Sequence, residues 1–183
     1  NRTALEERDL IERVQRGEKD AFQDLMAPYQ RKIYSLLYGM VWDREDALEL
    51  TQEVFAKAYR SIRGFRMASS FYTWLYRIAV NLALDFRRQR MTNPEIQREV
   101  DPPTNEKPDS TLLRKELNEH IRMTIAQLPP QHRAILLLRE VEGLSYKEIA
   151  QVMGCRLGTV MSRLHYARDG MRRALTPYLK GED

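Results

Sequence analysis

Residues 144–175 read LSYKEIAQVMGCRLGTVMSRLHYARDGMRRAL. Ser145 followed three positions later by Glu148 is a capping box, so a helix is expected to begin at Tyr146. Ala150 is small where two helices have to approach, and Gly154 suits a left-handed turn residue. Beyond the turn, Leu157, Val160 and Leu164 fall at i, i+3 and i+7, the spacing of an inward helical face. Ile149 and Val160 are expected to pack the two helices together. This is the spacing of a helix-turn-helix, whose second helix lies in the DNA major groove. Its outward face would carry Met161, Ser162, His165 and Tyr166, with Arg163, Arg168, Arg172 and Arg173 in reach of phosphates. Residues 156–180 hold six Lys or Arg against one acid, a surplus of the kind that supplies salt-dependent DNA affinity. A helical hairpin that merely packs is the competing reading, and Arg172 and Arg173 alone suit a solvated helix end.

Working outward, the 183-residue chain is 43% apolar and 31% charged, enough for a packed helical core. Its charge is uneven. Residues 1–90 carry 16 basic and 13 acidic side chains, residues 91–110 carry 2 and 5, and residues 111–183 carry 12 and 8. Two basic blocks flanking an acidic segment point to a polyanionic partner. The segment MTNPEIQREVDPPTNEKPDS, residues 91–110, holds four prolines and reads as an extended tether. The expectation is therefore an all-α protein of two small helical domains, 1–90 and 111–183, joined by a flexible acidic linker, 91–110.

Within the first domain, Asp43 is a candidate N-cap for the helix REDALELTQEVFAKAYRSI, with Asp46 in its first turn and Gly64 as its stop. Residues 21–42 show helical spacing, and Pro28 predicts a break inside them. No apolar run approaches the roughly 20 residues of a membrane span, and no signal peptide opens the chain. It starts at Asn1 rather than Met. One cysteine, Cys155, fits a reducing, cytoplasmic setting. Three dispersed histidines, with no cysteine near them, argue against a metal site. Without a phosphate loop, a Ser/His/Asp cluster or metal spacing, neither an enzyme nor a cofactor is expected.

The stretch FRMASSFYTWLYRIAVNLALDFRRQR, Phe65 to Arg90, crowds five aromatic residues into its first half and closes on Arg87, Arg88 and Arg90. Phe71, Trp74, Leu75, Ile78, Leu82 and Phe86 form one stripe, expected to be mostly core. Tyr72, Arg77, Asn81, Leu84 and Arg88 lie on the other face. Asn offers donors and acceptors to a base edge, and an exposed aromatic ring stacks an unpaired base for roughly 1–3 kcal/mol. Taken alone, this face reads better as core plus solvated arginines than as a base-binding site.

With these motifs in view, the chain resembles the extracytoplasmic-function (group IV) sigma factors of bacterial RNA polymerase, over nearly its whole length. DALELTQEVFAKAYRSI looks like region 2.2. FRMASSFYTWLYRIAVNLALDFRRQR looks like regions 2.3 and 2.4. LPPQHRAILLLREVEGLSYKEIAQVMGCRLGTVMSRLHYAR looks like region 4. The resemblance implies a non-catalytic promoter-recognition subunit that binds core RNA polymerase through the β′ clamp helices and the β flap. It places Asp46, Glu49, Gln52, Glu53 and Phe55 near the clamp, with Leu48 and Glu49 standing where acids, the second usually Asp, are the pattern. It implies that Phe65, Arg66, Ser69, Ser70, Phe71 and Asn81 open the −10 element and hold a flipped base, with Ala68 at a position often acidic. Extruding a base costs a few kcal/mol, which the pocket has to return through stacking and edge hydrogen bonds.

For the −35 duplex the resemblance implicates Arg156, Gly158, Thr159, Met161, Ser162, Arg163, His165, Tyr166 and Arg168. Met161 replaces a usual Lys or Arg, Tyr166 a common Arg and Arg156 a common Pro, so a shifted −35 preference is expected. It also implies an anti-sigma factor as partner and an acidic linker threading the polymerase channels, although a plain tether accounts for the linker's composition as well. A stand-alone helix-turn-helix regulator is the alternative, but it leaves FYTWLYRIAVN without a role. A purely structural helical module is the other rival.

Overall fold

Each helix boundary has a local cause. In the computed structural model, residues 3–92 and 112–179 are described. Their elements are α1 (Ala4–Gln15), α2 (Lys19–Met26), α3 (Gln30–Val41), α4 (Arg44–Ser61), α5 (Phe71–Thr92), α6 (Leu112–Gln127), α7 (Pro130–Glu140), α8 (Tyr146–Met153) and α9 (Leu157–Leu179), with no strand among the described residues. Thr3 and Glu6 form a capping box at α1. Pro28 sits in the 3-10 turn Ala27–Tyr29, so the break expected in residues 21–42 separates α2 from α3. Trp42 ends α3 in the left-handed region (φ 59°), a conformation unusual for so large a residue. Asp43 then caps α4 by accepting the Asp46 N–H at 2.9 Å. The expected box at α8 is present, with Ser145 N–H donating to Glu148 at 2.7 Å and Gly154 closing the helix at φ 60°.

α1 to α5 pack as one helical unit and α6 to α9 as another. The buried line of α5 is Phe71, Thr73, Leu75, Tyr76, Ala79, Val80 and Ala83. The stripe expected from spacing therefore needs correction. Trp74, Ile78, Leu82 and Phe86 are half-buried flanks, while small Ala79 and Ala83 lie at the centre. α5 is held against both α3 and α4, and alanine at the seam is what permits close helix approach. Leu157 is likewise displaced from the inward face predicted for it, being 42% exposed, whereas Val160 and Leu164 are buried. Leu157 is the first residue of α9.

The two units also pack directly on each other, through α5 with α8 and through α3 with α7. Gly39 of α3 faces Leu137 of α7, where an added Cβ would lie 2.9 Å from the leucine Cδ1. The Arg122 guanidinium of α6 lies 5.3 Å from the Trp42 ring centre, within cation–π range. Arg133, only 1% exposed, also reaches across the units. Its Nε donates to the Ile125 carbonyl (3.0 Å), Nη2 to those of Ala126 and Leu128, and Nη1 to Met40 across the units at 2.7 Å. It thus fills the acceptors that the end of α6 leaves open. Burial, with a smaller contribution from the charge of Arg87, pushes its pKa down to about 9. The group is still cationic at neutral pH.

Candidate nucleic-acid interface

The loop entering α5 is held from below. Gln15 of α1 donates to the carbonyls of Ile62 (3.0 Å) and Phe65 (2.9 Å). Phe65, Phe71 and Trp74 form an aromatic triangle with ring centres 5.1–5.7 Å apart, and Tyr29 meets Phe71 edge-on at 5.7 Å. Phe65 and Phe71 are buried, so they form the floor of this face rather than its surface. Ser70 accepts the Thr73 N–H at 3.3 Å, the bond of an N-cap, and its hydroxyl lies 2.6 Å from that of Thr73. Ser69 is half-buried, and its hydroxyl donates to the Ser70 carbonyl. Earlier in the loop, Met67 takes a left-handed φ of 54°.

Above that floor, Arg66, Arg77, Asn81 and Arg88 are exposed. The arginine row that ends α5 is divided in its work. Arg87 is half-buried and donates to the Met40 carbonyl at 3.3 Å. Arg90 pairs with Asp46 of α4 at 2.7 Å and lies 5.0 Å from the Phe86 ring centre. Arg88 alone of the three is solvent-facing, loosely paired with Asp85 at 3.6 Å. Tyr72 and Arg77, on the face read as base-binding, are engaged by the second unit. Tyr72 donates its hydroxyl to Glu148, and Arg77 Nε donates to the Gln151 carbonyl at 2.9 Å.

On α9 and just before it, the candidate groove-facing residues lie outside the buried line of Val160, Leu164 and Ala167. Arg156, Gly158, Ser162 and His165 are exposed, Met161 is 53% and Tyr166 52% exposed, and Thr159 and Arg163 are half-buried. Arg156 caps the helix through its carbonyl, which accepts from Thr159 and Val160. Arg168 is tied to Glu140 of α7 at 2.6 Å, and Arg172 and Arg173 both approach Asp169. Behind the groove-facing row, His132 of α7 meets the Tyr166 ring at 4.9 Å. Burial, then the nearby Arg163 charge, holds its imidazole below the ordinary 6.5.

The unfolded chain therefore takes up a proton at His132 before the folded one does. Stability is complete above pH 6.5 and declines as pH falls through the interval between the unfolded and folded values. Urea titrations between about pH 5 and pH 8 should show that decline, and His132→Gln should reduce it. An equal slope in both proteins would refute the assignment.

The third candidate surface is α4. Glu49, Gln52 and Glu53 are exposed and Phe55 is half-buried, but Asp46 is buried in its pair with Arg90. Leu48, which sequence reading noted only as a departure from pattern, is a 52% exposed apolar side chain on the same helix.

Comparison with known proteins matches residues 25–92 to the family model of sigma-70 region 2 and residues 119–169 to that of sigma-70 region 4. The RNA polymerase sigma-H factor of Pseudomonas aeruginosa is 43% identical, over 97% of this chain and 98% of its own length. The chain belongs to the extracytoplasmic-function sigma factors of the sigma-70 family. The ECF sigma-E factor of Haemophilus influenzae is 41% identical over 96% of this chain and 98% of its own. Two solved structures share the fold of this sigma factor, each with a TM-score of 0.72. One is RpoE of Bartonella quintana, in complex with the anti-sigma factor NepR, at 21% identity and covering 85% of this chain and 96% of that one. The other is CnrH, in complex with the cytosolic domain of CnrY, at 22% identity and covering 93% and 97%.

In this sigma factor, then, α5 lies in region 2, and α8 with α9 as far as Asp169 lies in region 4. Among the described residues no His/Cys/Asp/Glu group could hold a metal ion, and no helix is long and apolar enough to cross a membrane. The expected linker role falls mainly on residues 93–111, outside those described. Sequence reading missed Tyr76, Glu142, Gln151, Arg90 and Arg133. Each acts through a partner remote in sequence, which no local pattern marks.

Proposed function

We propose that this alternative sigma factor binds core RNA polymerase in the cytoplasm, has no catalysis of its own, and divides promoter recognition between its two helical units. Residues 1–90 take the −10 element as a single strand. Asn81 supplies edge hydrogen bonds, Tyr72 a stacking surface, and Arg66, Arg77 and Arg88 phosphate contacts. Phe65 and Phe71 shape the floor beneath the captured base, with Ser69 and Ser70 at its rim. Residues 111–183 read the −35 element as duplex through Arg156, Gly158, Thr159, Met161, Ser162, Arg163, His165, Tyr166 and Arg168, with residues 91–110 as the tether. Glu49, Gln52, Glu53 and Phe55 meet the β′ clamp helices, Asp46 positioning α4 through Arg90. The β flap takes the second unit, where Ile125, Leu136, Val141 and Met171 line a groove of about 380 Å³. An anti-sigma factor would compete for these surfaces.

The observation that carries this reading is the pairing of two different nucleic-acid faces in one chain. An aromatic-floored polar face on α5 suits an unpaired strand. A basic helix-turn-helix with an exposed recognition row suits intact duplex. Run-off transcription with core polymerase over a promoter library tests it, by reporting both elements at once. No defined start site with the purified chain would end the proposal. A stand-alone regulator would bind duplex without retaining core polymerase in a pull-down.

Met161 gives a sharper test of the duplex half. Met161→Arg should strengthen promoter binding and steepen the dependence of log K on log salt by about 0.9, one added phosphate contact. An unchanged slope would show that position 161 does not face DNA.

A further inference from the structure

We infer that a cleft beside the loop entering α5 is a second nucleotide subsite, which takes the unpaired strand where it leaves the −10 face. This rests on the proposed role of that face. Val14, Gly17, Tyr59, Arg60, Ile62 and Arg63 line a cleft of about 240 Å³, where the end of α4 meets the turn from α1 to α2. Its floor is apolar, with Val14 4% and Ile62 1% exposed. Tyr59 is 42% exposed and meets the Phe22 ring edge-on at 4.9 Å, so an anchored aromatic ring stays accessible. Arg60 and Arg63 are exposed and form no ion pair among the described residues. No carboxylate lines the cleft, and Glu18, next to Gly17, is taken up by Arg13 at 2.8 Å. An aromatic ring, an apolar floor and two unpaired guanidiniums hold a base by stacking and its phosphates by charge.

Position ties the cleft to the −10 strand. Gln15 follows the lining residue Val14, and its side chain donates to the carbonyls of Ile62 at 3.0 Å and Phe65 at 2.9 Å. Ile62 belongs to the floor of the cleft and Phe65 to the floor of the −10 face. The three-residue step between them spans at most about 11 Å even when extended, so one strand can engage both. With the −35 element read as duplex, the captured strand stays unpaired only towards the start site. The subsite therefore takes nucleotides on that side.

The test uses holoenzyme and fluorescein-labelled fork DNA, a duplex carrying the −35 element and an unpaired tail of the captured strand. The tail either ends at the −10 element or extends several nucleotides past it. Wild type should bind the longer tail about tenfold more tightly, the worth of one stacked base. The double variant Arg60→Gln, Arg63→Gln should lose most of that gain. Its dependence of log K on log salt should flatten by about 1.4, two single-strand phosphate contacts. Tyr59→Ala should lose the gain as well, and Tyr59→Phe should keep it. On the short tail every variant should match wild type.

If wild type gains nothing from the longer tail, or the double variant gains as much at the same salt slope, the subsite is overturned and the function stands. Equal losses on both tails would overturn it too, by tying these arginines to the −10 face itself. If wild-type holoenzyme prefers neither fork to random DNA, the functional proposal itself fails.

Discussion

Arg133→Met is expected to lower the unfolding free energy by about 2–4 kcal/mol. On a chain of this size that corresponds to a drop of roughly 5–15 °C in Tm. Two large effects oppose each other at this residue. The guanidinium is 1% exposed and no carboxylate among the described residues pairs with it, so burying it carries a heavy desolvation cost. Against that, it serves the carbonyls of Ile125, Ala126 and Leu128 where α6 ends, and Met40 beyond. Methionine would remove the desolvation cost but leave the end of α6 with unsatisfied acceptors. Each such acceptor costs about 1–3 kcal/mol when kept from water. The carbonyl term should win because several acceptors depend on one donor. Arg133→Lys, a point charge without the planar fork, should fall between the two. Thermal unfolding of the three proteins decides the matter, and a methionine variant as stable as wild type would show that the burial cost dominates.

Phe71→Ala should be of comparable or larger effect, about 3–5 kcal/mol, as for other buried aromatic truncations. The ring is 2% exposed and meets three others, those of Phe65, Trp74 and Tyr29. Its loss removes one corner of the triangle under the loop. The functional signature should be selective. At temperatures where the variant is folded, binding to −35 duplex should persist and strand opening at −10 should fail. Permanganate footprinting of holoenzyme on a promoter separates these steps. Normal opening by a folded Phe71→Ala protein would remove the floor from the proposed site.

What could be read from the sequence was local. Ser145 and Glu148 cap α8, Asp43 caps α4, Pro28 breaks the early helix and Gly154 turns the chain into α9. Each is decided within a few residues, and each is present. The α5 stripe was misread because spacing weights every apolar residue alike. The seam instead takes Ala79 and Ala83, with Trp74 and Phe86 displaced to the flanks. Leu157 was misread because periodicity says which side of a helix a residue occupies, not where the neighbouring helix ends. The functional face was only half legible. Asn81 and Arg88 are open to solvent as their types suggest, but Tyr72 and Arg77 meet partners more than 70 positions away in sequence. No pattern within α5 carries that information.

The Met40 carbonyl, at the end of α3, is reached by two guanidiniums. Arg133 donates from the second unit at 2.7 Å and Arg87 from the first at 3.3 Å. Were the two units to part, Arg133 would leave with its own, still bonded to the end of α6. Arg87 would stay behind with Met40. Neither side would then be left with a stranded acceptor. Resistance to parting would come from lost apolar contact and from the hydroxyl bonds of Tyr72 to Glu148 and Tyr76 to Glu142, and those are quantities that a partner protein's binding energy can match.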